Sequence, residues 1–83
     1  MTRKEQYFVK HPVIEIYKGY EIRNGGVDPY GYQSFICDAA IAIYSITSSY
    51  IEGCREFIDK LVNLGIKQYD NEAVSKYIFN KKK

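Results

Sequence analysis

The sequence predicts an α+β fold: a small antiparallel sheet of three to four strands packed by one main helix, plus a short C-terminal helix. Three observations carry this. Residues 13–46 are rich in β-branched and aromatic side chains, punctuated by Lys-Gly, Asn-Gly-Gly and Asp-Pro. Residues 50–63 repeat apolar side chains at helical spacing. A second, shorter apolar stripe follows after position 70. Strands first and helices last are the pattern of a sheet with helices laid on one face.

Residues 1–12 are polar and end at His11-Pro12, where the position before proline disfavours helix. Tyr7, Phe8 and Val9 are read as a short edge strand or an arm packed on the body, and residues 1–10 and 80–83 as flexible ends of a single 1–83 domain. "VIEIY" (13–17) and "YEIR" (20–23) read as strands joined by a tight turn at Lys18-Gly19, glycine supplying the positive φ. A competing reading stays open. Ile14, Ile16, Tyr20 and Ile22 share parity, so one continuous strand, bulged at Gly19, would bury all four.

"NGGVDPYG" (24–31) reads as a loop. "YQSFIC" (32–37) and "IAIYSI" (41–46) read as strands flanking a turn near Asp38-Ala39, although residues 39–43 also have helix propensity. Ser49 and Glu52 have the spacing of a capping box. The helix behind them places Ile51, Cys54, Ile58, Leu61 and Val62 on one face, with Glu52, Arg55, Glu56, Asp59, Lys60 and Asn63 opposite. Gly65 is its stop. A shorter helix starts at Asp70 or Asn71, with Ala73, Val74, Tyr77 and Ile78 as its stripe.

Eighty-three residues make one small domain, and 46% apolar content suits a packed core rather than a disordered chain. Net charge is +2, but the two ends (residues 3–5 and 81–83) hold +4, which leaves −2 on residues 6–80. A nucleic-acid binder concentrates cations on its folded body, so direct nucleic-acid binding is disfavoured. No apolar run is long enough to span a bilayer, and the start lacks a secretory leader. The expectation is a cytoplasmic protein with Cys37 and Cys54 reduced and buried.

Catalytic parts are scarce. His11 and two scattered cysteines cannot complete a four-ligand zinc site, and neither cysteine is placed beside His11 as a nucleophile pair. Asp28, Asp38, Glu15 and Glu21 read as turn residues and cross-strand partners of Lys18 and Arg23. "NGG" (24–26) lacks the lysine and following helix of a phosphate loop. No catalytic residue, metal ligand or cofactor is assigned, and the reading is not an enzyme.

Tyrosine is what remains: nine Tyr, four Phe and no Trp. Tyr44 and Tyr77 fall at core positions. Tyr17, Tyr30 and Tyr32 cluster around a turn and a loop, where an apolar ring with a polar tip suits a protein interface. With Arg23 and Asp28 as a polar rim, these five are the candidate partner-binding residues.

"IYKGYEI" (16–22), a strand ending in Phe35-Ile36-Cys37, and "SSYIEGCREFIDKLV" (48–62) together resemble the small β-sheet-plus-helix proteins of phages and mobile elements. Gly19 matches the turn, Ser49 and Glu52 the cap, and Cys54 and Ile58 the buried face. These are scaffold positions, so no active site carries over. The resemblance implies a setting: such proteins often occlude a host protein, anti-CRISPR and anti-restriction inhibitors being the best-known group. The expected function is a non-enzymatic module that sterically blocks a host defence protein, with acidic side chains standing in for phosphate. The alternatives are a nucleic-acid-binding regulator using sheet aromatics and the basic tail, and a self-associating structural protein, as a homodimer.

Overall fold

The computed structural model describes residues 2–81. Met1, and Lys82 and Lys83 of the basic tail, lie outside the described residues. The elements run α1 (Arg3–Lys10), β1 (Val13–Tyr17), β2 (Tyr20–Val27), β3 (Gln33–Ala40), β4 (Tyr44–Ser48), α2 (Ile51–Asn63) and α3 (Asn71–Lys81). The strands form one antiparallel meander in the order β1-β2-β3-β4. The α+β architecture is as the sequence predicts: four strands, α2 packed on the sheet, and α3 closing the chain. Among the described residues, no helix is long and apolar enough to cross a membrane.

The choice between hairpin and continuous strand resolves to the hairpin. Tyr17 faces Tyr20 across a two-residue turn in which Lys18 (φ 51°) and Gly19 (φ 86°) both adopt positive φ. A two-residue turn puts its flanking residues on the same face, which reverses the parity of β1 relative to a continuous strand. Tyr20 and Ile22 are buried beneath α2, and the β1 residues that share their face are Glu15 and Tyr17. Ile14 and Ile16 are exposed instead (46% and 68%), against the burial that shared parity suggests. A bulge between Val13 and Glu15 completes the offset.

The core is built from Tyr20, Ile22, Cys37, Ala39 and Ala40 of the sheet, Cys54, Phe57, Ile58 and Leu61 of α2, Ile66 and Val74. Ala73, Tyr77 and Ile78 pack against it from α3, as their spacing predicts. The Tyr20 hydroxyl donates to the Ile66 carbonyl at 2.9 Å, so its polar tip is satisfied inside. Helix α2 ends in a Schellman motif: Ile66 N–H donates to Leu61 O (3.0 Å) and Gly65 N–H to Val62 O (2.9 Å).

Four local expectations are corrected. Residues 3–10 are a helix, not an edge strand; Thr2 caps it by accepting from Glu5 N–H at 3.1 Å, and it stops at His11 ahead of Pro12. The Ser49–Glu52 box does not form: Tyr50 is the N-cap of α2 with no side-chain cap, and Ser48 Oγ accepts from Tyr50 N–H instead. The turn placed at Asp38-Ala39 falls at residues 41–43, because Ala42 takes a positive φ (65°) without glycine. The loop placed at 24–31 is shorter: β2 runs through Val27, with a bulge between Asn24 and Gly26.

Candidate interaction surface

The β1 ladder ends at Val13↔Arg23 and the β4 ladder at Ser48↔Phe35. Strands β2 and β3 continue past both to Val27↔Gln33, so they leave the sheet as a two-stranded arm. Asp28 closes its tip. The Asp28 carboxylate accepts from Tyr30 N–H and Tyr32 N–H, each at 2.9 Å, while its own N–H donates to Tyr32 O at 2.9 Å. Pro29 holds the φ of the first turn position, and Gly31 (φ 89°) takes the positive-φ position that returns the chain to β3. Lower on the arm, Asn24 Oδ1 accepts from Gly26 N–H (2.7 Å) and Gln33 Nε2 (2.6 Å).

The result is a fixed tip that faces outward: Val27, Tyr30 and Tyr32 are 66%, 85% and 67% exposed. Among the described residues none covers these side chains, and their backbone is tied by the bonds above. Val27 has no place in the sequence-level set, because the Gly-Gly before it hides the strand that carries it.

The five candidate residues therefore separate. Asp28, Tyr30 and Tyr32 share the tip. Tyr17 lies at the far end of β2's partner strand, packed on the core, with the Lys18 ammonium 5.4 Å and the Arg55 guanidinium 5.9 Å from its ring centroid. Arg23 is no rim residue. It is buried (7% exposed), donating to His11 O at 2.7 Å and to Glu21 Oε1 at 3.2 Å beneath the Phe8 ring, 4.1 Å from the guanidinium carbon. One Asp28 carboxylate oxygen, Oδ1, accepts from two backbone donors, which gives this side chain a role in holding the tip.

Arg23 belongs to a polar cluster that the sequence did not suggest. Helix α1 lies on the sheet face opposite α2, over Arg23 and Asp38 (5% exposed). The Tyr7 hydroxyl donates to Asp38 Oδ2 at 2.6 Å. Burial first, then this bond, push the Tyr7 phenol well above its ordinary range. His11 Nδ1 lies 2.9 Å from Asn24 O, a carbonyl that can only accept, so that nitrogen carries a proton. Across the other side of β2, the Gln68 amide wedges between β2 and β3. It accepts from Glu21 N–H (2.8 Å) and donates to Asp38 O (2.8 Å), replacing a ladder rung. Apart from Arg23 Nε, which is buried without a hydrogen-bond partner among the described residues, these groups bond to one another, and their geometry is that of a tie between layers.

On the α2 side the edge is held by ion pairs: Arg55 grips Glu15 through two bonds (2.7 and 2.9 Å), and Lys18 reaches Asp59 at 2.8 Å. Arg55 holds the Glu15 carboxyl below its ordinary range, and Lys18 does the same for Asp59. A groove of about 660 Å³ opens beside the β1–β2 turn, its lining including Lys18, Tyr20, Glu21, Val62, Ile66 and Tyr69. It lies at the opposite end of the sheet from the arm. Among the described residues, no three His, Cys, Asp or Glu side chains gather to hold a metal ion. Comparison with protein-family models, curated proteins and solved structures found no match for this chain.

Proposed function

We propose that this protein is a non-enzymatic interaction module that docks on another protein through the tip of the β2–β3 arm. The observation that carries this is the tip itself: two tyrosines and a valine, held outward on a backbone fixed by Asp28. Ordered aromatic rings lose little entropy on binding and fill pockets well, which makes Tyr a frequent anchor of protein interfaces. The resemblance to small phage and mobile-element proteins supports the specific version, an inhibitor that sterically blocks a host defence protein in the host cytoplasm. Anchoring by rings carries more weight than phosphate mimicry, because Asp28 Oδ1 already serves the loop while both rings face outward.

The nucleic-acid reading has less support. Residues 24–34 contain no Lys or Arg, so bases stacked on Tyr30 or Tyr32 would find no nearby cation for their phosphates. The test is affinity capture of a partner from the native host, followed by titration of the purified partner against Tyr30→Ala and Tyr32→Ala. Each substitution is expected to weaken binding at least about tenfold, roughly 1.4 kcal/mol, with unchanged circular dichroism. Full retention of affinity by both variants removes the arm as the docking surface.

A further inference from the structure

The meander has two open edges, and they are built differently. On β4 the outward residues Ser45 and Thr47 are polar. On β1 they are Ile14 and Ile16, 46% and 68% exposed, and the strand contains neither Lys nor Pro to discourage pairing. The backbone at Ile16 is equally open. Tyr17 and Tyr20 flank a two-residue turn and so exchange their backbone hydrogen bonds. By alternation, the N–H and C=O of Ile16 point away from β2, toward the free edge.

From this edge we infer that the protein self-associates into a two-fold dimer by antiparallel pairing of β1 with β1 of a second copy, centred on Ile16. The register is constrained by symmetry. A two-fold axis normal to the sheet preserves faces, so residues directly opposite must share a face. The regular stretch of β1 beyond its bulge is Glu15–Tyr17, and its midpoint is Ile16. Centring there lets the two Ile16 residues exchange both backbone bonds and brings their side chains together on the face opposite α2. Glu15 then lies opposite Tyr17 of the second copy.

Charge argues for a second copy over an arbitrary strand. Along the α2 side of the edge, Glu15 with Arg55 forms one level and Lys18 with Asp59 the next. The two-fold sets the first level of one protomer against the second level of the other. Glu15 then neighbours Lys18 of the second copy, each already paired on its inner side with Arg55 or Asp59, so the acid of one edge meets the base of the other across the axis. An unrelated strand would meet this acid–base order by chance only. The dimer would leave both arms free, since the β1 ladder ends at Val13↔Arg23 and the arm extends beyond it to Val27↔Gln33.

The experiment is sedimentation equilibrium of the full chain over a concentration series, with Ile16→Lys and, as the edge control, Thr47→Lys. The wild type is expected to move from 9.7 kDa toward twice that mass with concentration. Ile16→Lys is expected to raise the dissociation constant at least about tenfold, and Thr47→Lys to leave it unchanged. Hydrogen exchange on the wild type gives a reading independent of any variant's folding: the Ile16 amide should gain protection as concentration rises. A wild type that stays monomeric up to about 1 mM, a scale at which even contacts worth only about 4 kcal/mol populate, overturns the proposal. So does a dimer unaffected by Ile16→Lys, or one that leaves the Ile16 amide unprotected.

Discussion

Replacing Tyr7 by Phe removes one oxygen and tests how α1 is held on the sheet. The ring stays in place, keeping its edge contact with Phe8 (centroids 5.8 Å apart) and its contact with His11 (4.8 Å). What is lost is a 2.6 Å hydrogen bond to the carboxylate of Asp38, a residue 5% exposed. A hydrogen bond to a charged acceptor contributes about 1.5–3 kcal/mol, and Asp38 is left short of a donor in a place water reaches poorly. Because the Tyr7 ring itself is half-buried, the lower end applies: about 1.5 kcal/mol. For a chain of this size that corresponds to a melting-temperature loss of roughly 6–12 °C. The pH dependence has a definite sign. The phenol's folded value lies above its free value of 10.0, so this contribution is present below pH 10 and fades as pH rises toward the folded value. Urea denaturation at pH 7 and again above pH 10 should therefore show the gap between wild type and Tyr7→Phe narrowing at alkaline pH. Tyr30→Phe serves as control, its ring being 85% exposed. A Tyr7→Phe protein within about 0.5 kcal/mol of wild type at pH 7, the range of ordinary surface changes, refutes the claim that this bond ties α1 down.

The remaining predictions concern the core, the arm and the α2 edge. Burial pushes Cys37 up to about 12 and Cys54 to about 11, so neither thiol should react with a disulfide reagent at pH 8 until the protein unfolds; immediate reaction of either contradicts the packing. At Gly25 an added Cβ would meet Ser34 Oγ at 2.7 Å and Ile36 Cγ1 at 3.0 Å, so Gly25→Ala should destabilise by about 1–3 kcal/mol in urea unfolding; a neutral result would mean the arm opens freely. Glu15 and Asp59 have folded values below their free ones, so their contribution holds above the free values near pH 4 and is lost as pH falls through the folded ones. Stability should accordingly fall on the acid side, less steeply in Glu15→Gln, and equal slopes would deny the Arg55 grip any weight.

How much of this was legible in the sequence varies by element, for identifiable reasons. Helices α2 and α3 follow from periodicity because each has one face on the core. Helix α1 carries its own cap, Thr2 with Glu5 three residues on, the same spacing read at Ser49–Glu52. The first forms and the second does not, since α2 starts a residue later, at the close approach of Gly53 to Ser48, where a Cβ would collide with Ser48 Oγ. Spacing alone cannot tell these cases apart. The β3–β4 turn escapes a reading by composition because Ala42 adopts a conformation that leaves no compositional trace. Arg23 escapes it for a different reason. Its burial depends on α1 crossing the opposite face and on the His11 carbonyl, contacts between segments that no local pattern encodes.

The same contacts decide which substitutions can inform on function. Arg23 and Tyr17 sit within networks that join layers, so changing either would alter folding and binding together. The tip is different. Asn24, Asp28 and Gln33 fix it through bonds made within the arm, none of which reaches α1, α2 or α3. Trimming Tyr30 or Tyr32 to alanine leaves the backbone donors to Asp28 in place, because both bonds come from main-chain N–H groups. Loss of affinity in those variants therefore reports the rings and not the loop. Asp28→Ala, by contrast, should loosen the whole tip, since it removes the acceptor of both bonds. If the rings anchor a partner on a preformed surface, Asp28→Ala should weaken binding as much as the loss of either tyrosine although it removes no aromatic contact. An Asp28→Ala protein that binds like wild type would show that the partner, and not Asp28, orders the tip.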